Sequence, residues 1–359
     1  MLLVLAMAAA IWGIGWALGL PHAARWPLIG LLFVAVLGVQ FLFPDGHPLR
    51  EATGGEAAPW LILAGIVAII LAYRAGLNRL RRRAQGDQQK EAPKVLTDKM
   101  GEVELERYAR HIVLRELGGP GQQRLRRARV LVIGAGGLGA PALQYLAAAG
   151  VGTIGVVDDD LVENANLQRQ VIHTDATIGM PKVFSAQKAM EAQNPFVVVQ
   201  PYHRRLTDEI AAELFAEYDL VLDGTDNFDT RYLVNRAAVA AGIPLISGAL
   251  SQWEGQLSVF DPARDTPCYQ CVFPEAPAPG LAPSCSEAGV LGPLPGVVGT
   301  MMAVEAIKVL ADVGAPLRGE MLIYDALWSE TRKITLKRRS DCPVCGKKKD
   351  ERDDEPTAG

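Results

Sequence analysis

The chain has 359 residues, room for one large domain with accessories. Its 36 Lys and Arg against 40 Asp and Glu leave a net charge of −4, which excludes a broad basic surface, so no nucleic-acid partner is expected. Hydrophobic residues make up 49 % and the mean hydropathy is +0.13, high for a soluble protein, and the excess is concentrated at the N-terminus.

Three apolar runs open the chain, at residues 2–20, 26–43 and 59–71. The first is uncharged and, at about 1.5 Å per residue, long enough to span a bilayer. The other two are shorter, with Trp26, Trp60 and Tyr73 near their ends, where interfacial anchors sit. No Lys or Arg precedes the first run, which weighs against a cleaved signal peptide. Arg25 lies in the first loop, while Asp45, Glu51 and Glu56 outnumber Arg50 in the second. Arg74, Arg79, Arg81, Arg82 and Arg83 follow the third run. The positive-inside rule then puts the N-terminus outside and everything past residue 78 in the cytoplasm. The expectation is a multi-pass inner-membrane anchor of about three helices over residues 1–78 and a basic, polar linker over 79–100. A cytoplasmic catalytic domain over 101–346 and a disordered, charged tail over 347–359 follow. Within the linker, residues 84–100 read as a flexible tether.

A β-rich run at 130–133 flows into Gly134-Ala135-Gly136-Gly137-Leu138-Gly139, then an Ala-rich helix and a second strand ending in Asp158. Gly134, Gly136 and Gly139 match the dinucleotide-loop spacing in the strand–turn–helix setting it requires. Small residues there let the backbone approach a phosphate or ribose, and Asp158 is placed to accept a ribose hydroxyl. Alone, the loop reads as a dehydrogenase motif. The segment from Asp160 to Gln170 argues otherwise, because Arg169 offers a planar fork for phosphate oxygens. Lys182 follows after Pro181, at the start of an expected helix over 183–193, where anions are favoured. A strand over 220–223 ends in Gly224-Thr225-Asp226-Asn227. Asp226 is positioned either to hold Mg²⁺ near phosphates or to cap the next helix.

Cysteine usage is the second strong signal. Cys268 and Cys271 form one C-x-x-C hook and Cys342 and Cys345 another. Four thiolates in two hooks suit a tetrahedral structural Zn²⁺ that staples the end of the chain to the domain. Disulfides are the alternative, disfavoured by the reducing compartment that the charge pattern assigns. Cys285 stands apart in a Pro-rich loop.

These motifs, with Arg107-Tyr108-Ala109-Arg110-His111 upstream, resemble the MoeB/ThiF/HesA family, bacterial relatives of the ubiquitin-activating enzymes. The resemblance runs from about Leu105 to Gly346 and leaves out the membrane segment. It implies an α/β fold: a Rossmann-like ATP-binding half whose mostly parallel sheet continues into an antiparallel part, with a zinc-stapled C-terminus. The further strands are expected at 245–248, 256–260, 321–325 and 333–337. It implies ATP·Mg²⁺ binding and adenylation of the C-terminal Gly-Gly carboxylate of a ubiquitin-like sulfur carrier, MoaD- or ThiS-like, for molybdopterin or thiamine sulfur transfer. The implied nucleotide set is Gly134, Gly136, Gly137, Gly139, Asp158, Asp160, Asn166, Gln168, Arg169, Lys182, Asp226 and Asn227. The implied catalytic groups are Arg169, Lys182, Asp226 and Arg110, the last supplied to the neighbouring site of a homodimer. Cys285 matches a position used for sulfur chemistry in the ThiF branch and dispensable in the MoeB branch. A crossover loop at 273–281 would lie over the carrier's tail, and a separate protein would donate the sulfur. The alternative is a related enzyme acting on tRNA-bound threonylcarbamoyladenosine or another small carboxylate. A membrane scaffold without activity is disfavoured, since it has no use for Arg110, Arg169, Lys182 and Asp226 together.

Overall fold

A computed structural model describes residues 2–18, 22–88, 99–277 and 288–346. The chain divides into two compact units, Met1–Lys94 and Val95–Gly359.

The first unit is helical: α1 (Leu2–Ala17), α2 (His22–Leu42), the short α3 (Pro48–Ala52) and α4 (Ala58–Gln88). Val4, Val36 and Trp60 are buried together, with Leu32, Phe33 and Leu37 packed against them. Trp60 Nε1 donates to the Thr53 carbonyl at 3.1 Å, tying α4 to the end of α3. Many large apolar side chains, among them Leu5, Ile14, Leu31, Phe41, Ile62 and Ile69, lie exposed. About three spans were expected, but among the described residues of this unit only one helix has an apolar window of the required length. The window Arg25–Leu42 qualifies, whereas the apolar stretches Leu3–Ala17 and Ala58–Arg74 are shorter. A hydrocarbon core about 30 Å thick asks for about 20 residues of helix. Among the described residues the one other helix of sufficient length and apolarity, Pro293–Ala311, is half buried and belongs to the second unit's core. The linker also differs from expectation. Residues 84–88 extend α4 rather than beginning a tether, and 89–98 lie outside the described residues, as does the tail at 347–359.

In the second unit, α5 (Glu102–Ile112) and α6 (Gly118–Arg127) lead into β1 (Arg129–Ile133). Then follow α7 (Gly139–Ala149), β2 (Thr153–Val157), α8 (Lys182–Gln193), β3 (Val198–Tyr202), α9 (Asp208–Phe215), β4 (Leu220–Asp223) and α10 (Phe228–Ala241). The chain continues through β5 (Leu245–Leu250), β6 (Glu254–Phe260), α11 (Tyr269–Val272), α12 (Pro293–Ala311), β7 (Glu320–Asp325) and β8 (Glu330–Thr335). All eight strands form one sheet in the order β3-β2-β1-β4-β5-β6-β7-β8. Pairings from β3 across to β5 are parallel, and those from β5 to β8 are antiparallel.

The strand sequences explain this layout. β1 and β2 are nearly continuous in Val and Ile and are buried on both faces, as parallel strands covered by helices must be. Alternate residues feed two cores. Val130, Val132, Ile154 and Leu222 pack with Leu143, Met190 and Met302 on one face. Leu131, Ile133, Val221 and Phe260 pack with Phe215, Val234 and Tyr269 on the other. Each such side chain, fully buried, contributes roughly 1.5–3 kcal/mol. β8 is exposed along its length, and its Arg332 and Lys333 blunt the open edge. It starts three residues earlier than expected. Asp325 Oδ1 accepts the Leu327 and Trp328 N–H groups, and this turn pairs Asp325 with Glu330.

Candidate active site and metal centre

The sheet order reverses where β1 meets β4, the place where α/β sheets hold ligands beyond their strand ends. A cavity of about 520 Å³ opens there. Its wall takes in Gly134, Gly136, Gly137, Asp158, Asp160, Asn166, Arg169, Lys182, Asp226 and Asn227. Thus one wall gathers residues scattered over some ninety positions of sequence.

The loop geometry requires its glycines at two places. Gly134 has φ +92°, a left-handed conformation that favours glycine. A Cβ on Gly139 would lie 1.9 Å from the Gly134 carbonyl oxygen, so no side chain fits where α7 begins. Leu138 precedes α7 without a capping side chain; the Ala140 N–H bonds the Gly136 carbonyl at 2.8 Å and Pro141 has no N–H, so the start of α7 offers an anion chiefly its dipole. Gly139 itself supports the loop from behind rather than lining the cavity.

Asp158 is held by two backbone donors: Oδ2 accepts the Ala135 N–H and Oδ1 the Asp160 N–H, both at 2.8 Å. Burial pushes its carboxyl up from the usual range, against the pull of nearby Lys182 and of those two N–H groups. Lys182 is buried and its Nζ reaches the exposed Asp160 Oδ2 at 2.7 Å. Arg169 donates to Asn166 Oδ1 at 3.2 Å and to the Ala165 carbonyl at 3.4 Å, and Asn166 donates to Glu163 at 3.4 Å. The guanidinium is thereby aimed by its own loop. At the end of β4 the helix cap is Asn227, whose Oδ1 accepts the Thr230 N–H at 2.9 Å. Asp226 lines the cavity and is exposed.

Besides Gly139, one residue of the expected nucleotide set, Gln168, is off this wall, and so is Arg110, which was expected to serve a neighbouring copy. Arg110 sits exposed on α5, outside the cavity wall. Gln168 packs against Gly292 at the start of α12, where an added Cβ would lie 2.7 Å from its Oε1. Cys285 lies outside the described residues, as does 278–281 of the crossover loop. Sequence reading missed Arg204, Arg205 and Leu206, which follow β3 and line the cavity. Their signal was position at a strand's carboxyl end, not residue type. It also missed the support behind the wall. Asp223 is buried and accepts from Thr225 N–H at 3.0 Å and Thr225 Oγ1 at 2.7 Å. Buried Arg231 donates to the carbonyls of Gly248, at 2.8 Å, and Thr225.

The four hook cysteines converge although 74 residues separate the hooks. All are buried, and their Sγ atoms lie within 4.8 Å of one another. The separations are 3.9 Å for Cys268–Cys271, 3.6 Å for Cys268–Cys342 and 3.4 Å for Cys271–Cys345. A disulfide needs about 2.05 Å. A tetrahedron with zinc–sulfur bonds of about 2.3 Å has sulfur edges of about 3.8 Å, so the set fits Zn²⁺. The Arg339 N–H donates to Cys271 Sγ at 3.4 Å, and Asn235 Nδ2 to Cys268 Sγ at 3.8 Å, both favouring thiolate. Burial pushes the Cys268 and Cys271 thiols up. It acts likewise on Cys342, but N–H groups of Cys345 and Val344 and the neighbouring sulfurs outweigh it and bring that thiol to about 7.

Solved structures share this architecture. Escherichia coli MccB bound to a MccA variant aligns with TM-score 0.57 at 23 % identity, covering 64 % of this chain and 70 % of that one. PaaA aligns with TM-score 0.59 at 20 % identity over 74 % and 83 %. At such identities the likeness is one of fold. Sequence relatives are nearer. The sulfur carrier protein adenylyltransferase of Thermus thermophilus is 54 % identical over 258 residues, 71 % of this chain and 93 % of that protein. The SAMP-activating enzyme E1 of Haloferax volcanii is 49 % identical over 251 residues, 70 % and 92 %. MoeZ of Mycobacterium tuberculosis, a probable adenylyltransferase/sulfurtransferase by name, is 51 % identical over 67 % of this chain but only 62 % of its own length. The ThiF family matches residues 108–344, which hold every strand of the sheet and the whole cavity wall, and the chain belongs to that family.

Proposed function

We propose that this chain adenylates the C-terminal Gly-Gly carboxylate of a small ubiquitin-like sulfur carrier. The observation that carries the reading is the meeting of the glycine loop, Asp158, Arg169, Lys182 and Asp226 on one cavity. The names of the Thermus and Haloferax relatives, each covered over more than nine-tenths of its length, support it.

In the reaction a carboxylate oxygen forms a bond to the α-phosphorus of ATP, and the bond from that phosphorus to the bridging oxygen breaks. Pyrophosphate leaves with the electron pair. A C-terminal carboxyl has a pKa of about 3.5, so the nucleophile is already ionised at neutral pH and needs no general base. The protein's task is to position and to neutralise charge. Asp158 accepts the ribose hydroxyls, the N-terminus of α7 and Arg169 meet the phosphates, and Lys182 turns its ammonium to them. Asp226 would hold Mg²⁺, which when bound offsets the charge of the departing pyrophosphate.

Four further parts complete the reading. Arg110, exposed on α5 and outside its own cavity, serves the site of a second copy in a homodimer. Zinc fills the four-cysteine site. The exposed apolar helices of the first unit sit in the inner membrane, shorter ones included, with the second unit in the cytoplasm. A separate protein supplies sulfur to the acyl-adenylate.

ATP–pyrophosphate exchange with candidate carriers is the test. Exchange that requires an intact Gly-Gly end, and that falls about 10²- to 10³-fold in Arg169→Ala, supports the reading. Exchange with a small carboxylate and with no carrier would overturn it.

A further inference from the structure

Behind the glycine loop runs a buried hydrogen-bond chain that no nucleotide contact uses. His173 is 5 % exposed and lies among the segment after β2, α8 and the loop after β1. Its Nε2 is 2.9 Å from the Ala135 carbonyl oxygen, and its Nδ1 is 2.9 Å from Ser185 Oγ. Ser185 Oγ is 3.0 Å from Thr177 Oγ1, which donates to the Thr174 carbonyl at 2.8 Å and accepts the Thr174 N–H at 3.1 Å.

The hydrogens of this chain can be counted. Carbonyls only accept, so Nε2 donates to Ala135 and the Thr177 hydroxyl donates to Thr174. Thr177 then has no hydrogen for Ser185, and the contact between them needs the hydrogen of Ser185. Ser185 is left with none for Nδ1, so Nδ1 must carry its own. The imidazolium is the form that satisfies every contact, and either neutral tautomer leaves one contact without a hydrogen. Burial acts the other way, holding the ring below its usual pKa, with the Ala135 carbonyl opposing and Lys182 assisting. Lys182 is the charged group that bears on the ring, and it is paired with Asp160 at 2.7 Å. Asp158 reaches the ring only through Ala135, whose N–H it accepts, and Asp175 of the same segment is solvent-exposed. The chain by itself therefore holds a neutral ring in a setting shaped for a charged one. Phosphate charge arriving at the loop and at Lys182 reverses that balance.

We propose that His173 is a positioning residue that grips the phosphate loop through the Ala135 carbonyl and takes up a proton from solvent as ATP fills the cavity. The proposal rests on the nucleotide reading of the cavity. It makes ATP affinity fall as pH rises through the range in which the ring of the bound state loses its proton.

Calorimetric titration of ATP·Mg²⁺ into the detergent-solubilised full-length protein at pH 7, in buffers of different ionisation enthalpy, tests it. The expected result is uptake of a fraction of a proton approaching one per ATP. His173→Gln, which keeps a donor for Ala135 without a titratable ring, should bind with no uptake and with a flattened pH profile. Its KM for ATP should rise about fivefold, the difference between a charge-assisted and a neutral hydrogen bond to Ala135, with a smaller change in kcat. Binding by the wild type without uptake, or uptake unchanged in the variant, would overturn the proposal. Should the variant fail to fold, the nitrogen shifts of His173 in the wild type decide. Both nitrogens moving to imidazolium positions with ATP supports the proposal, and a ring that stays neutral overturns it. A wild type that binds no ATP would instead overturn the nucleotide reading itself.

Discussion

At the carboxyl end of β4 two neighbouring residues divide two jobs. Asn227 caps α10 through the Thr230 N–H besides lining the cavity, whereas Asp226 lines the cavity and has no part in the cap. Losing an N-cap costs about 1 kcal/mol, so Asn227→Ala should lower the melting temperature by a few degrees. Asp226→Ala should leave melting unchanged and abolish pyrophosphate exchange. Equal melting losses in both variants, read by thermal unfolding, would refute the division. His173 gives a second prediction at this scale. Its folded pKa lies below that of the unfolded chain because burial disfavours the charged ring. Between the two values the unfolded state binds more protons, so without nucleotide stability falls as pH drops from about 6.5 toward the folded value. Melting of the wild type should show this slope in that window, and His173→Gln should flatten it.

Among the elements, α11 and the segment holding Cys342 and Cys345 are too short to be stable alone. Their sulfurs form one buried cluster with no packed apolar core beneath it beyond Val239 and Val344. A metal at this point supplies what packing does not. One zinc per chain is expected by elemental analysis. Its removal by a chelator, or Cys345→Ser, should lower the melting temperature and expose the segment around Cys342 and Cys345 to protease. Purified protein with no zinc and unaltered melting in Cys345→Ser would count against the staple. The same scale explains why the edges were harder to read than the centre. β1 and β2 announce themselves through their Val, Ile and Leu, but β8 is Glu330-Thr331-Arg332-Lys333-Ile334-Thr335, half of it charged. Its register is set by the Asp325 turn rather than by an apolar pattern.

For the whole molecule, the two units predict separable behaviour. The second has its own sheet and both large cores, so residues 95–359 expressed alone should be soluble and retain carrier-dependent exchange. The full chain should sediment with membranes, since the first unit leaves Leu5, Leu31, Phe41 and Ile69 exposed. Differential centrifugation and exchange assays on the two proteins check this. Full-length protein found wholly in the soluble fraction would remove the anchor from the reading.

Local chemistry by itself determined the glycine loop, the acidic end of β2, Arg169, Lys182, Asp226 and the paired cysteine hooks, because residue type and short spacing suffice for each. Helix lengths were less legible: an apolar stretch does not mark where hydrogen bonding stops, so α4 ran past its apolar part to Gln88. The tertiary structure alone decided which residues share the cavity. Arg204 and Arg205 enter because β3 lies beside β2, and Gln168 stays out, packed against Gly292 before α12. It also decided that Asn227 and not Asp226 caps α10, and that His173 stands behind Ala135. The Asn227 cap is local, three residues long, but the His173–Ala135 contact crosses 38 residues, and only the closed sheet brings its partners within hydrogen-bonding distance.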